Sequence, residues 1–203
     1  MTIDYPNPAA FSYPKGEDAL LELHYQIQAD FSKLIKQADH EALRREVAGL
    51  LTARFSHLGP VEPWGSARQA GQVRLRAGRC LVSVSGLRVE VNAQGRQPGD
   101  AQIARQLRQA LVSLLARLGG QTLQREVIRA IINAGYSIRT LSRQGDDLAL
   151  LEMDWARVTL ALSGCLTITT VENYRPIAGR LLADLGAAGI EITPSFTPST
   201  PNS

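Results

Sequence analysis

Three short matches recur in the same order along this chain, and no other feature constrains its fold as strongly. Leu43-Arg44-Arg45-Glu46-Val47 is answered by Leu123-Gln124-Arg125-Glu126-Val127, each opening an amphipathic helical pattern. Leu114-Leu115-Ala116-Arg117-Leu118-Gly119 is answered by Leu181-Leu182-Ala183-Asp184-Leu185-Gly186, each closing a helix with glycine, where a left-handed cap costs least. Between these bookends Ser85-Gly86-Leu87 matches Ser163-Gly164-Cys165-Leu166, a turn flanked on both sides by strand-like alternation. Collinear self-similarity of this kind points to a duplicated unit.

Each copy reads as helix, three strands, helix. In the first, a helix over Glu41 to Ser56 precedes strands near Val73 to Arg76, Arg79 to Val84 and Leu87 to Val91. A second helix follows, with Asp100 as its N-cap and Ile103, Leu107, Leu111, Leu114 and Leu118 as its apolar stripe. The other copy offers a helix over Thr122 to Ala134, strands near Leu148 to Met153, Ala156 to Leu162 and Leu166 to Val171, and a helix over Arg175 to Leu185. Ile190-Glu191-Ile192 alternates like one more strand before a Pro- and Ser-rich tail.

The middle strands are apolar on one face and mostly polar on the other, Cys80, Val82 and Val84 against Leu81 and Ser83, and Val158, Leu160 and Leu162 against Arg157, Thr159 and Ala161. Three antiparallel strands covered by helices on one side keep two open edges, which invite pairing with a neighbour. The expected fold class is therefore α+β: two tandem α-β-β-β-α units with antiparallel sheets, joined through edges or helical faces into a pseudo-twofold body, plus an N-terminal helix. That extra helix spans Gly16 to Ala38, with Leu20, Leu23, Ile27, Phe31, Leu34 and Ile35 on one face, as a brace across the units or a dimerisation helix. The expected domains are an N-terminal extension and helix at 1–39, a first unit at 40–119, a second at 120–193 and a disordered tail at 194–203.

Charge is partitioned more sharply than the net +3 suggests. Residues 1–43 hold 3 Lys and 7 acids, residues 44–144 hold 16 Arg and 5 acids, and residues 145–203 hold 3 Arg and 7 acids. Arg74 and Arg76 alternate with Val73 and Leu75, so both should leave the polar face of their sheet, where Arg88 can join them. Such a face attracts an outside polyanion or the acidic stretches of the same protein. Planar arginines suit phosphates, but the block holds only Phe55, Trp64 and Tyr136 as aromatics, and none interleaves with the strand arginines as a base-stacking platform would.

Catalytic and metal-binding patterns are missing from the sequence. His24, His40 and His57 share no three- or four-residue spacing, and no G-x-S-x-G elbow or P-loop occurs. Gly145-Asp146-Asp147 reads as a solvated turn, and Glu152 with Asp154 as a hairpin end rather than an acid–base pair. Trp64, between prolines and glycines, is either a plug over the core or a partner anchor. Cys80 and Cys165 fit two reduced thiols.

These observations lead to an expectation of a cytoplasmic, non-enzymatic adaptor or chaperone-like protein without cofactor or metal. It docks a protein partner on its sheet face or at the junction of its units, using Arg74, Arg76, Arg79, Arg88 and Trp64. Homodimerisation fits the same scaffold. The alternative is a nucleic-acid-binding protein using the arginine-rich face of the first unit. A membrane partner is not expected, because no apolar run approaches the roughly 18 residues a span needs and residues 1–14 lack the basic-then-apolar pattern of a secretory signal.

Overall fold

The computed structural model describes residues 20–37, 40–65, 72–94, 99–145 and 147–195. Among these residues are four α-helices and two antiparallel sheets, a mixed α+β architecture. The chain divides into two compact units, a central one from Asp30 to Thr122 and a split one made of Met1–Ala29 and Leu123–Ser203.

The central unit begins with α1 (Phe31–Gln37) and α2 (His40–Phe55), and continues through β2 (Val61–Pro63), β3 (Gln72–Ala77), β4 (Cys80–Ser85) and β5 (Arg88–Ala93). It ends in the first part of α3 (Asp100–Asn133). Its sheet runs in the order β2-β3-β4-β5. Leu43, Val47, Leu51 and Phe55 recur every four residues on α2, and Leu107, Leu111, Leu114 and Leu115 form the matching stripe of α3. Both stripes bury against Val73, Leu75, Cys80, Val82, Val84 and Val89, the inward side of the strands. Each fully buried leucine there contributes about 1.5–3 kcal/mol relative to exposure.

The split unit contains β1 (Leu20–Gln28), the end of α3, β6 (Ile138–Gln144), β7 (Leu148–Met153), β8 (Arg157–Ala161), β9 (Cys165–Val171), α4 (Arg175–Ala187) and β10 (Glu191–Pro194). Its six strands run β10-β1-β9-β8-β7-β6. Leu151, Met153, Val158, Leu160, Leu166 and Ile168 fill its core with Val127 and Ile131 of α3 and Leu181 and Leu185 of α4. Polar side chains buried among them are hydrogen-bonded, Thr170 donating its hydroxyl to the Trp155 carbonyl at 2.7 Å. Gln124, 2% exposed, donates from Nε2 to the Leu160 carbonyl at 2.8 Å and the Asp147 carbonyl at 3.2 Å.

Four sequence expectations need correction. The N-terminal helix over Gly16 to Ala38 is instead β1 followed by the short α1. Leu20, Leu23 and Ile27 fit a helical spacing, but Leu21, Leu23, Tyr25 and Ile27 also alternate with Glu22, His24 and Gln26, and that period-2 segment pairs with β9 on one side and, over Tyr25–Gln28, with β10 on the other. Each unit has four strands after its first helix rather than three; β2 and β6 were missed. The helix boundary at Gly119 does not exist, since α3 continues through Gly119-Gly120. Gly119 serves close approach instead: a Cβ there would lie 2.9 Å from Cδ1 of Phe31. Finally, Pro194 closes β10 and the Ser195 N–H donates to the His24 carbonyl at 2.8 Å, so the chain is still paired where the tail was expected to begin. The rest of that tail, like Asp146, lies outside the described residues.

Two of the three sequence matches fall at like places in the element order, whereas Leu114–Gly119 lies in the middle of α3 and its counterpart Leu181–Gly186 near the end of α4. Leu43 and Leu123 start buried stripes on α2 and the later part of α3, and the glycine turns join β4 to β5 and β8 to β9. Gly86 and Gly164 there have φ of 57° and 87°.

Candidate interaction surface

Alternation on β3 buries Val73, Leu75 and Ala77 and sends Gln72, Arg74 and Arg76 to the opposite face of the sheet. Cross-strand register extends that face. Arg74 lies opposite Ser83, which lies opposite Glu90; Arg76 lies opposite Leu81 and Glu62; Gln72 lies opposite Ser85, which lies opposite Arg88. The outer face of the central sheet therefore carries Arg74, Arg76 and Arg88 interspersed with Glu62 and Glu90.

Trp64 directly follows β2. Its backbone N–H donates to the Arg74 carbonyl at 3.2 Å, and the Arg74 guanidinium carbon sits 5.7 Å from its ring centroid. The indole stays 37% exposed, and Arg74 Nε is shielded from solvent with no hydrogen-bond acceptor among the described residues. Gly65, with φ of 72°, takes the left-handed turn that follows Trp64. A flat aromatic with a guanidinium resting on it offers a partner apolar area at low entropic cost, ringed by charges of both signs.

The other arginines are held by the protein itself. Arg76 Nε donates to the Gly78 carbonyl at 2.7 Å, and Arg88 pairs with Glu90 at 2.8 Å. Arg79 is not on a strand, as its alternation suggested, but in the turn between β3 and β4. Its guanidinium meets the Asp100 carboxylate at 2.7 Å. Asp100, 7% exposed, is thus an ion-pair partner at the first turn of α3 as well as a residue placed favourably for the helix dipole. The sequence brought Arg74, Arg76 and Arg88 to one face, and Glu90, two residues from Arg88 on the same strand, follows by the same alternation; it gave no sign that Glu62 shares the face, because β2 is only three residues long.

No family model matches the chain, and no curated protein or solved structure is measurably similar to it.

On the split unit, the outer sheet face bears an acid-centred network. Glu152 accepts hydrogen bonds from the Thr140 hydroxyl at 2.9 Å and from Arg157 at 3.0 Å, while Arg139 pairs with Asp154. The Thr140 hydroxyl and then Arg157 hold the Glu152 carboxyl below the usual carboxylate range. Each acid has a structural partner. His24 contacts the Thr167 hydroxyl at 3.2 Å through Nδ1 and Glu22 at 3.6 Å through Nε2. Among the described residues, no three His, Cys, Asp or Glu side chains converge as metal ligands.

Cys80 and Cys165 are unpaired. Burial pushes the Cys80 thiol up, against the opposing pull of nearby Arg79. A groove of 570 Å³ lies between α2 and α3 in the central unit, floored by Ala42, Gly49, Leu50, Ala53 and Leu114 and rimmed by Arg45, Glu46 and Arg117. No helix among the described residues is long and apolar enough to cross a membrane.

Proposed function

We propose that this chain is a non-enzymatic binding and assembly protein, adaptor- or chaperone-like, whose protein partner docks on the outer face of the central sheet. The observation that carries this reading is the exposed Trp64 ring with Arg74 resting on it, the two residue types that most often anchor interfaces, set beside Arg76, Arg88, Glu62 and Glu90. The mixed signs favour a protein surface over a phosphate backbone, since acids within the patch repel a polyanion. The same reading places the protein in the cytoplasm, with both thiols reduced.

The test is affinity purification of the native protein from its own cells, identification of the partner, and titration of the purified pair. Trp64→Ala and Arg74→Ala should each weaken binding by about tenfold or more, as expected for anchor residues. Binding unchanged in both variants would overturn the reading. Titration of labelled DNA and RNA at low and high salt decides the nucleic-acid alternative, which requires an affinity that falls steeply with salt and is abolished by charge reversal at Arg74 and Arg76.

A further inference from the structure

The two sheets have four edge strands, and three of them are defended against pairing. β2 is three residues long and ends in Pro63, and β10 is four residues long and ends in Pro194. β6 carries a register shift between Ile138 and Thr140, and its only charges, Arg139 and Arg143, are alike. In a symmetric antiparallel pair centred on Leu141, Arg139 would oppose Arg143 of the second copy. Prolines, brevity, bulges and like charges are the usual guards of a sheet edge.

β5 has none of these. It is six residues long, in unbroken register with β4, free of proline, and balanced in charge by Arg88 and Glu90. Gln94 N–H bonds to the Arg79 carbonyl at 2.8 Å, so with the antiparallel alternation Arg88, Glu90 and Asn92 direct their backbone groups to β4. Val89 and Val91 direct theirs outward, and among the described residues they meet no partner strand.

We infer that β5 pairs antiparallel with β5 of a second copy, in the register centred on Val89. Charge selects that register. Centring on Glu90 sets Glu90 against Glu90, and centring on Val91 sets it against Asn92. Centring on Val89 sets Arg88 against Glu90 of the second copy, twice, and joins the existing Arg88–Glu90 pair at 2.8 Å into a four-charge ring. The same register exchanges both backbone hydrogen bonds between the two Val89 residues. It also lays Leu87, 37% exposed at the tip of the β4–β5 turn, opposite Val91, giving that apolar side chain an apolar neighbour. This contact forms along the β5 backbone and shares Arg88 and Glu90 with the Trp64 face, but it is read on the isolated chain with no protein partner present, so its failure is distinguishable from failure of the partner proposed above.

Sedimentation velocity across a dilution series tests it. The wild-type chain should move with rising concentration from 22.1 kDa toward twice that mass. Glu90→Arg alone and Arg88→Glu alone should stay monomeric, because each opposes like charges. An equimolar mixture of the two single variants should dimerise, as should the double swap R88E/E90R. The mixture shows that monomeric behaviour is not misfolding. A wild-type chain that remains monomeric throughout, or a Glu90→Arg variant that self-associates as the wild type does, overturns the inference.

Discussion

The fourth strand after the first helix of each unit meets opposite fates. In the split unit that strand is β9, which has β8 on one side and β1 on the other, with β10 beyond. In the central unit it is β5, which has β4 on one side and, among the described residues, no strand on the other. The two strands look alike locally, since both alternate and both follow a glycine turn. The difference comes from a segment remote in sequence: Leu20–Gln28 supplies Leu21, Leu23, Tyr25 and Ile27 to the inward face and completes one sheet only. A similar order of elements can thus be closed in one place and remain available for association in the other.

Each unit has one tryptophan, Trp64 in the central unit and Trp155 in the split one, so single-tryptophan variants report on each. The largest effects should come from the cores. Leu111→Ala and Leu151→Ala, both at fully buried positions, should each cost about 2–5 kcal/mol, seen as a lowered denaturation midpoint for Trp64 and Trp155 respectively. If either substitution moved only the other unit's tryptophan, the division into units would be wrong.

Next is Gln124→Ala, which removes the Nε2 hydrogen bonds to the Leu160 and Asp147 carbonyls, the latter still accepting from the Leu162 N–H at 2.9 Å, and should cost about 1–3 kcal/mol in the Trp155 transition. The matched position in the central unit, Arg44, pairs with Glu41 at the surface at 3.6 Å, so Arg44→Ala should stay within about 0.5 kcal/mol. Equal losses at the two positions would remove that contrast.

The glycine turns compare the strands themselves. Gly86→Ala forces φ of 57° on a residue with a Cβ and should cost about 1–2 kcal/mol. Gly164→Ala incurs a similar strain and also sets its Cβ 2.8 Å from the Ile27 carbonyl oxygen of β1, so its loss should be the larger. Equal losses, measured by denaturant titration, would mean that β1 does not press on the β8–β9 turn.

The smallest effect concerns pH. The folded Glu152 carboxyl is depressed by Thr140 and Arg157, so its contribution is present above the unfolded carboxylate value of about 4.3 and is lost as pH falls through the lower folded value. Thr140→Val should raise the Glu152 titration midpoint toward the ordinary range, as read by NMR. An unmoved midpoint would put the cause elsewhere.

Much of this architecture was legible in the sequence where burial is one-sided. The strands β3, β4, β5, β7, β8 and β9 announced themselves because one face of each is covered, and the helices α2 and α4 because their stripes recur at helical spacing. β6 stayed hidden because nearly every residue in it is exposed, including Leu141, so no alternation marks it. β1 fitted two periods at once, and only the bare flank of β9 decides between them. Arg74 and Arg76 could be assigned to one face by counting, whereas the Trp64–Arg74 stack and the Arg79–Asp100 pair depend on tertiary approach that local pattern does not encode.

Residue-resolved amide hydrogen exchange in dilute protein tests the contrast most directly. The amides of β9 should be protected throughout, while on β5 Arg88, Glu90 and Asn92 are protected and Val89 and Val91 exchange freely. Val89 and Val91 amides as slow as those of β9 under the same dilute conditions would contradict an open edge.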